Sequence, residues 1–242
     1  MRLRYFTSLA IGFVIPSQFI QLTRHIIGQM RAESRGYTSV ELYQQKVRYC
    51  LPFEGTWYVI NGGTTPQTSH SWDIVGQRFA YDFVVTDAAL RRWRTEGKQP
   101  DDYLCYGLPI LAPADGEVVA VVDNVRDAPG VGTGWIDVFT RHFPGNAVTI
   151  RHAEGEYSFL AHLIPGSIRV KPGDTVQQGE IIGLCGNSGH STEPHLHFHV
   201  QDHEDFFQAA GVPIAFDGVK KDGTEIQGPV YLVRGTHVAS SV

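Results

Sequence analysis

From Leu51 onward, short runs of β-branched and aromatic residues are punctuated by Pro129-Gly130, Pro144-Gly145, Pro165-Gly166 and Pro172-Gly173. Proline presets φ and glycine admits positive φ, so each pair marks a turn. The runs between such turns predict strands at 57–60, 78–85, 116–122, 147–151, 157–162, 180–184, 195–201 and, in the tail, 230–233. Only 87–97 reads as a helix in this region. No repeat of fixed period interrupts the pattern. The expectation is a mainly β fold of two antiparallel sheets, a sandwich or barrel, and not a doubly wound parallel sheet.

Composition bounds what that fold can do. The 242 residues are 42% apolar, enough for one sizeable core. Twenty basic residues stand against twenty-five acidic ones, and the basic residues form no long run, which argues against nucleic acid as a partner. Cys50, Cys105 and Cys185 lack the paired spacing of a zinc ribbon or redox motif, and their odd number leaves the compartment open. Eleven histidines are many for this length, and most fall between His142 and His203.

Residues 1–50 read as an extension. Arg2 and Arg4 followed by a mostly apolar stretch from Phe6 to Ile20 fit a secretory signal or membrane anchor, although Pro16, Ser17 and Gln18 interrupt it and no small-x-small cleavage site follows. The run is shorter than the about 20 apolar residues of a membrane span. An amphipathic helix continuing through Ile26 and Met30 reads equally well. The first reading places the protein in the cell envelope, with membrane contact through residues 1 to about 30.

The chemistry concentrates in His195-Leu196-His197-Phe198-His199. On a strand, alternate side chains share a face, so the three imidazoles point one way and Leu196, Phe198 and Val200 the other. Histidines two apart on a strand can reach one metal ion or one substrate group. Single residues read more plainly. His70 lies in a Thr/Ser/Gln-rich loop, His142 and His152 suit structural roles, and Asp82 could be a buried aspartate satisfied by Arg78 or by backbone donors. Trp57, Trp72, Trp93 and Trp135 read as core or groove-wall residues.

The segments Ala112 to Val119 and Val170 to Gly183 look like the halves of a barrel-sandwich hybrid, the fold of lipoyl and biotinyl carriers, but no lysine sits at a hairpin tip between them. With the histidine strand added, residues 107–200 resemble the lysostaphin/LytM-type zinc metallopeptidases of peptidase family M23. The resemblance rests on Ala161-His162-Leu163, the turn from Val170 to Asp174, Ile182-Gly183, Gly186-Asn187-Ser188-Gly189 and Pro194-His195-Leu196-His197-Phe198. It implies a zinc-dependent endopeptidase acting on peptidoglycan stem or cross-bridge peptides, in a groove that loops 91–102 and 123–137 would flank. It also implies that His197 is a zinc ligand and that His162 and His195 act on the water or the transition state.

The family's other two ligands are a histidine and an aspartate four residues apart, and here the sequence departs. His70 precedes Asp73 by three residues and Asp82 by twelve. Asp82 is the favoured partner because Gln77 to Phe83 alternates as a strand, with the intervening residues forming a loop. His199 stands where the family often has glutamate and reads as a neighbour of the ligands. A set of two neutral donors and one carboxylate leaves a net +1 charge, able to lower the pKa of a bound water from about 15.7 to about 7. Two other readings remain at this stage. One is a phosphocarrier of the same hybrid fold using His162 and His195, and the other is a relative that binds the wall without cleaving it. Residues 51–203 would form the catalytic domain and 204–242 a tail packing on it.

Overall fold

The computed structural model describes residues 16–34 and 39–241. The first fifteen residues, on which part of the signal-or-anchor reading falls, lie outside them. One long helix, α1 (Pro16–Ser34), precedes a chain of strands. These are β1 (Trp57–Asn61), β2 (Tyr81–Val84), β3 (Pro109–Leu111), β4 (Gly116–Val122), β5 (Asn146–Ala153), β6 (Glu156–Leu163), β7 (Thr175–Val176), β8 (Ile181–Leu184), β9 (Leu196–Gln201), β10 (Gly211–Val212), β11 (Val219–Lys221), β12 (Thr224–Glu225) and β13 (His237–Ser240). The mainly β expectation holds.

Eleven strands form one antiparallel sheet in the order β12-β11-β13-β1-β2-β9-β6-β5-β4-β7, with β10 on β9, and β3 and β8 pair separately. The register that matters most runs across its centre. β2 sets Asp82 opposite His197, and β6 sets Ala161 opposite His197 from the other side. Leu196, Phe198 and Val200 on β9 join Phe83, Leu160, Val148 and Ile150 in the main core. Each such side chain contributes roughly 1.5–3 kcal/mol by leaving water, so this apolar face holds the register that the opposite face depends on. The tail shares the same core through Phe216, Val219, Leu232 and Val238.

Two sequence expectations fail. Residues 87–97 are not helical, because Asp87 takes over the backbone donors that a helix would need. Its carboxylate accepts the N–H groups of Ala89 and Arg91 and the Arg91 side chain, while Leu90 adopts φ +60. Residues 230–233 form no strand beyond a single bridge from Val230 to Phe216, since Pro229 offers no donor to extend it. The 78–85 run also begins later than expected, at Tyr81, after a 3₁₀ turn at Val75–Gln77.

Candidate metal centre

Asp82 is the hub. It is buried in the middle of β2, and its carboxylate meets four side chains from three parts of the chain. His197 Nδ1 lies 3.0 Å from Oδ1 and His195 Nε2 3.7 Å from the same oxygen. His70 Nε2 lies 3.5 Å from Oδ2, and Asn61 Nδ2 donates to Oδ2 at 3.1 Å. Burial works to raise the Asp82 pKa, but His70, the His197 contact and His195 outweigh it and hold the carboxyl well below its usual range. Asp73, the other carboxylate close to His70 in sequence, is exposed on the 71–80 loop.

The five residues expected from the sequence, His70, Asp82, His162, His195 and His197, are thus brought together. His162 reaches the group through ring contacts, its centroid 4.6 Å from His195 and 5.9 Å from His197. His142 and His152 sit elsewhere, bound to the carbonyl oxygens of Gly145 and Asp115. Among the described residues no three His, Cys, Asp or Glu side chains close into a finished metal cage. The contacts radiate from Asp82 instead.

Hydrogen-bond partners fix the tautomers. His162 Nδ1 lies 2.7 Å from the Ser188 carbonyl and His195 Nδ1 2.8 Å from the Glu193 carbonyl. A carbonyl only accepts, so both Nδ1 atoms carry hydrogen, and the neutral rings present bare Nε2 atoms. His162 is buried. Burial first, then the neighbouring His195 and His197, push its pKa well below the ordinary histidine value, so it stays neutral.

The backbone is built for this anchoring. His162 itself takes φ +64, a conformation unusual for a residue with a Cβ, and its N–H donates to Pro144 O. The Pro144-Gly145 turn and the 186–189 loop cross in backbone contact. A Cβ on Gly145 would lie 2.4 Å from Ser188 O, and one on Gly189 would lie 2.3 Å from Gly145 N. Only glycine allows the two loops to close over the carbonyl that holds His162.

His197 is held differently. Its Nε2 lies 3.1 Å from His199 Nδ1, His199 Nε2 lies 2.9 Å from Gln201 Oε1, and Gln201 Nε2 donates to His203 O at 2.7 Å. Gln201 must turn its amide nitrogen toward that carbonyl, so its oxygen faces His199. His199 Nε2 therefore carries the hydrogen, its Nδ1 accepts, and His197 Nε2 donates. A neutral His197 is then left with a bare Nδ1 facing the Asp82 carboxylate at 3.0 Å. Burial lowers the pKa of both rings, that of His199 to about 3.

Sequence reasoning missed Asn61 and Gln201. Gln201 continues the period-two histidine face and was there to be found. Asn61 meets Asp82 only through the bulged register of β1 on β2, which no local pattern reveals. Loops 91–102 and 123–137 contact each other: a Cβ on Gly132 would lie 2.4 Å from Gly97 O, and Gly132 N donates to Thr192 O, three residues before His195.

The chain is similar to known proteins over part of its length. A metalloprotease from Haemophilus influenzae is 36% identical over 101 residues, covering 42% of this chain and 18% of that protein. The peptidoglycan DD-endopeptidase ShyA of Vibrio cholerae is 24% identical over 208 residues, covering 84% of this chain and 44% of the relative. A zinc-containing peptidase from Vibrio cholerae of known structure is 22% identical with a TM-score of 0.40, covering 68% of this chain and 39% of that one. The chain spans less than half the length of each. The model of peptidase family M23 matches residues 102–209, which include His162, His195 and His197, while His70 and Asp82 precede the match.

Proposed function

We propose that the protein is a zinc-dependent endopeptidase that hydrolyses stem or cross-bridge peptides of peptidoglycan. The observation that carries this reading is the bare Nδ1 of His197 facing the Asp82 carboxylate. Two acceptors 3.0 Å apart in a buried site repel each other unless a cation lies between them. A proton could fill that role, but burial opposes an imidazolium at His197. A divalent metal fits better. His197 Nδ1 and His70 Nε2 approach the two oxygens of the one carboxylate, at 3.0 and 3.5 Å, so nitrogen and oxygen donors of the kind zinc takes face one another there.

His70 through Nε2, Asp82 and His197 through Nδ1 would hold the ion, and the chain through His199 to Gln201 would fix the His197 ring. Zinc, when bound, supplies Lewis acidity and a water that ionises near neutral pH. The chain's own residues handle the proton. His195, less enclosed than His162, presents Nε2 toward the hub and is suited to take a proton from the water and return it to the leaving amine. His162, kept neutral, accepts a hydrogen bond at Nε2 beside it. The phosphocarrier alternative gives Asp82 and the His197 chain nothing to do.

The relative named as a peptidoglycan DD-endopeptidase supports the substrate class. The same substrate implies a cell-envelope location, with residues 1 to about 30 as the membrane tether. Zinc per chain, together with release of soluble peptides from purified peptidoglycan before and after chelation, tests the reading. Activity lost on chelation and restored by zinc, with circular dichroism unchanged, is expected. Activity surviving exhaustive chelation overturns it.

A further inference from the structure

α1 is built inside out. A surface helix of a globular protein ordinarily buries its apolar stripe and exposes its polar one. Here the face turned to the domain carries Gln18, Gln21, His25, Gly28, Gln29 and Ala32. Gln18 and Gln21 donate to Thr140 O, Gln21 accepts the Phe143 N–H, and Gln29 accepts the Val75 N–H. At Gly28 the helix comes so close that a Cβ would lie 1.4 Å from Phe207 O. The opposite face carries Phe19, Ile20, Ile26, Ile27 and Met30, which are 56%, 60%, 50%, 45% and 65% exposed. At 3.6 residues per turn these five fall within an arc of about 120°.

We infer that this outer face of α1 lies in the interfacial layer of an anionic phospholipid bilayer. Charge selects this occupant over a second copy of the chain. Residues 1–34, to the end of α1, hold four arginines, Arg2, Arg4, Arg24 and Arg31, and one glutamate, Glu33, which leaves 16 basic against 24 acidic residues in 35–242. Arg31 borders one edge of the stripe, where its head can reach lipid phosphates while the apolar side chains enter the acyl boundary, whereas Arg24 pairs with Asp205 at 3.6 Å and lies over the Phe207 ring. A pairing of two copies on this face would instead bring two net-positive amino-terminal segments together. The sequence just before α1, from Tyr5 to Ile15, is also mostly apolar, so the face continues a stretch of the same character.

This inference rests on α1 and not on the metal centre, and its test is separate. The full-length protein is mixed with vesicles of phosphatidylglycerol and phosphatidylethanolamine, or of phosphatidylcholine alone, and sedimented. The wild type is expected to pellet with the anionic vesicles. The combined variant Ile26→Ser, Ile27→Ser and Met30→Ser should reduce the partition constant about ten-fold or more. Arg31→Gln should reduce it about five-fold on anionic vesicles only. Hydrolysis of a soluble peptide substrate and the melting temperature should stay unchanged, because the three apolar residues are exposed. Undiminished binding by the triple variant overturns the inference and assigns the tether to residues 1–15. Absence of vesicle binding, with a concentration-dependent dimer in ultracentrifugation that the triple variant abolishes, also overturns it, in favour of a second copy.

Discussion

His162 and His195 are tied to the main chain, whereas His197 and His199 are tied to each other and to side chains. The first pair gives its Nδ1 hydrogens to the carbonyls of Ser188 and Glu193 and leaves both Nε2 atoms bare. The second pair passes hydrogens along a line from His197 to Gln201, so the atom left bare is His197 Nδ1, aimed at Asp82. One strand and its neighbours thus present imidazoles in two orientations. A ring whose Nε2 is free at the edge of the hub can exchange protons, and a ring whose Nδ1 faces a buried carboxylate can share a cation with it.

The largest expected effect breaks the hub. Asp82→Ala should take zinc content to background and abolish hydrolysis, because it removes the one group that contacts both histidines of the proposed ligand set. Circular dichroism should be little changed, since the core on the other face of β2 and β9 does not depend on the metal. Asp73→Ala is the matched control and should keep full zinc and activity. Full occupancy in the Asp82 variant with loss in the Asp73 variant would reverse the assignment.

Next in size, His195→Ala and His162→Ala should keep zinc and depress turnover by roughly 10²- to 10⁴-fold, the usual range for a general acid or base. The two anchoring modes predict different partners in failure: zinc loss in either variant would place that residue among the ligands. Gln201→Leu comes third. It keeps the volume but removes the oxygen that dictates the tautomers of His199 and His197, and should weaken metal affinity about 10- to 100-fold, measured by competition with a chelator of known affinity. Unchanged affinity would mean that the His197 ring is oriented without the chain.

How much of this could be read in advance follows from periodicity. A period of two placed His195, His197 and His199 on one face and Leu196, Phe198 and Val200 on the other, and the same alternation singled out Asp82 over Asp73 as the partner that meets His70. Asn61 escaped because its contact is made across a bulge, and a register is a property of two strands and not of either sequence. Residues 87–97 misled because helix-forming composition says nothing about a carboxylate at the first position that binds the backbone locally. α1 was legible as an amphipathic helix, but periodicity cannot tell which face turns inward, and here glutamines with glycine and alanine face the domain.

The smallest effect tests whether a main-chain anchor needs support from outside. The Glu193 carbonyl that orients His195 belongs to a residue whose side chain pairs with Arg92 Nε at 3.0 Å, the two side chains 25% and 13% exposed. Arg92 comes from the loop after β2 and also lies over the Trp93 ring. It thereby ties the 190–195 segment to the opposite rim. A partly exposed pair of this kind contributes at most about 1 kcal/mol, which corresponds to roughly five-fold in rate if all of it acts through the placement of His195. Arg92→Ala should therefore lower kcat by no more than about five-fold, leave zinc content unchanged, and be partly rescued by Arg92→Lys. His195 also has Ser191 Oγ 3.3 Å from its Nδ1, so the ring keeps a second restraint when Glu193 loosens. A loss as large as that of His195→Ala would show that the rim pair, and not the carbonyl it steadies, sets the imidazole.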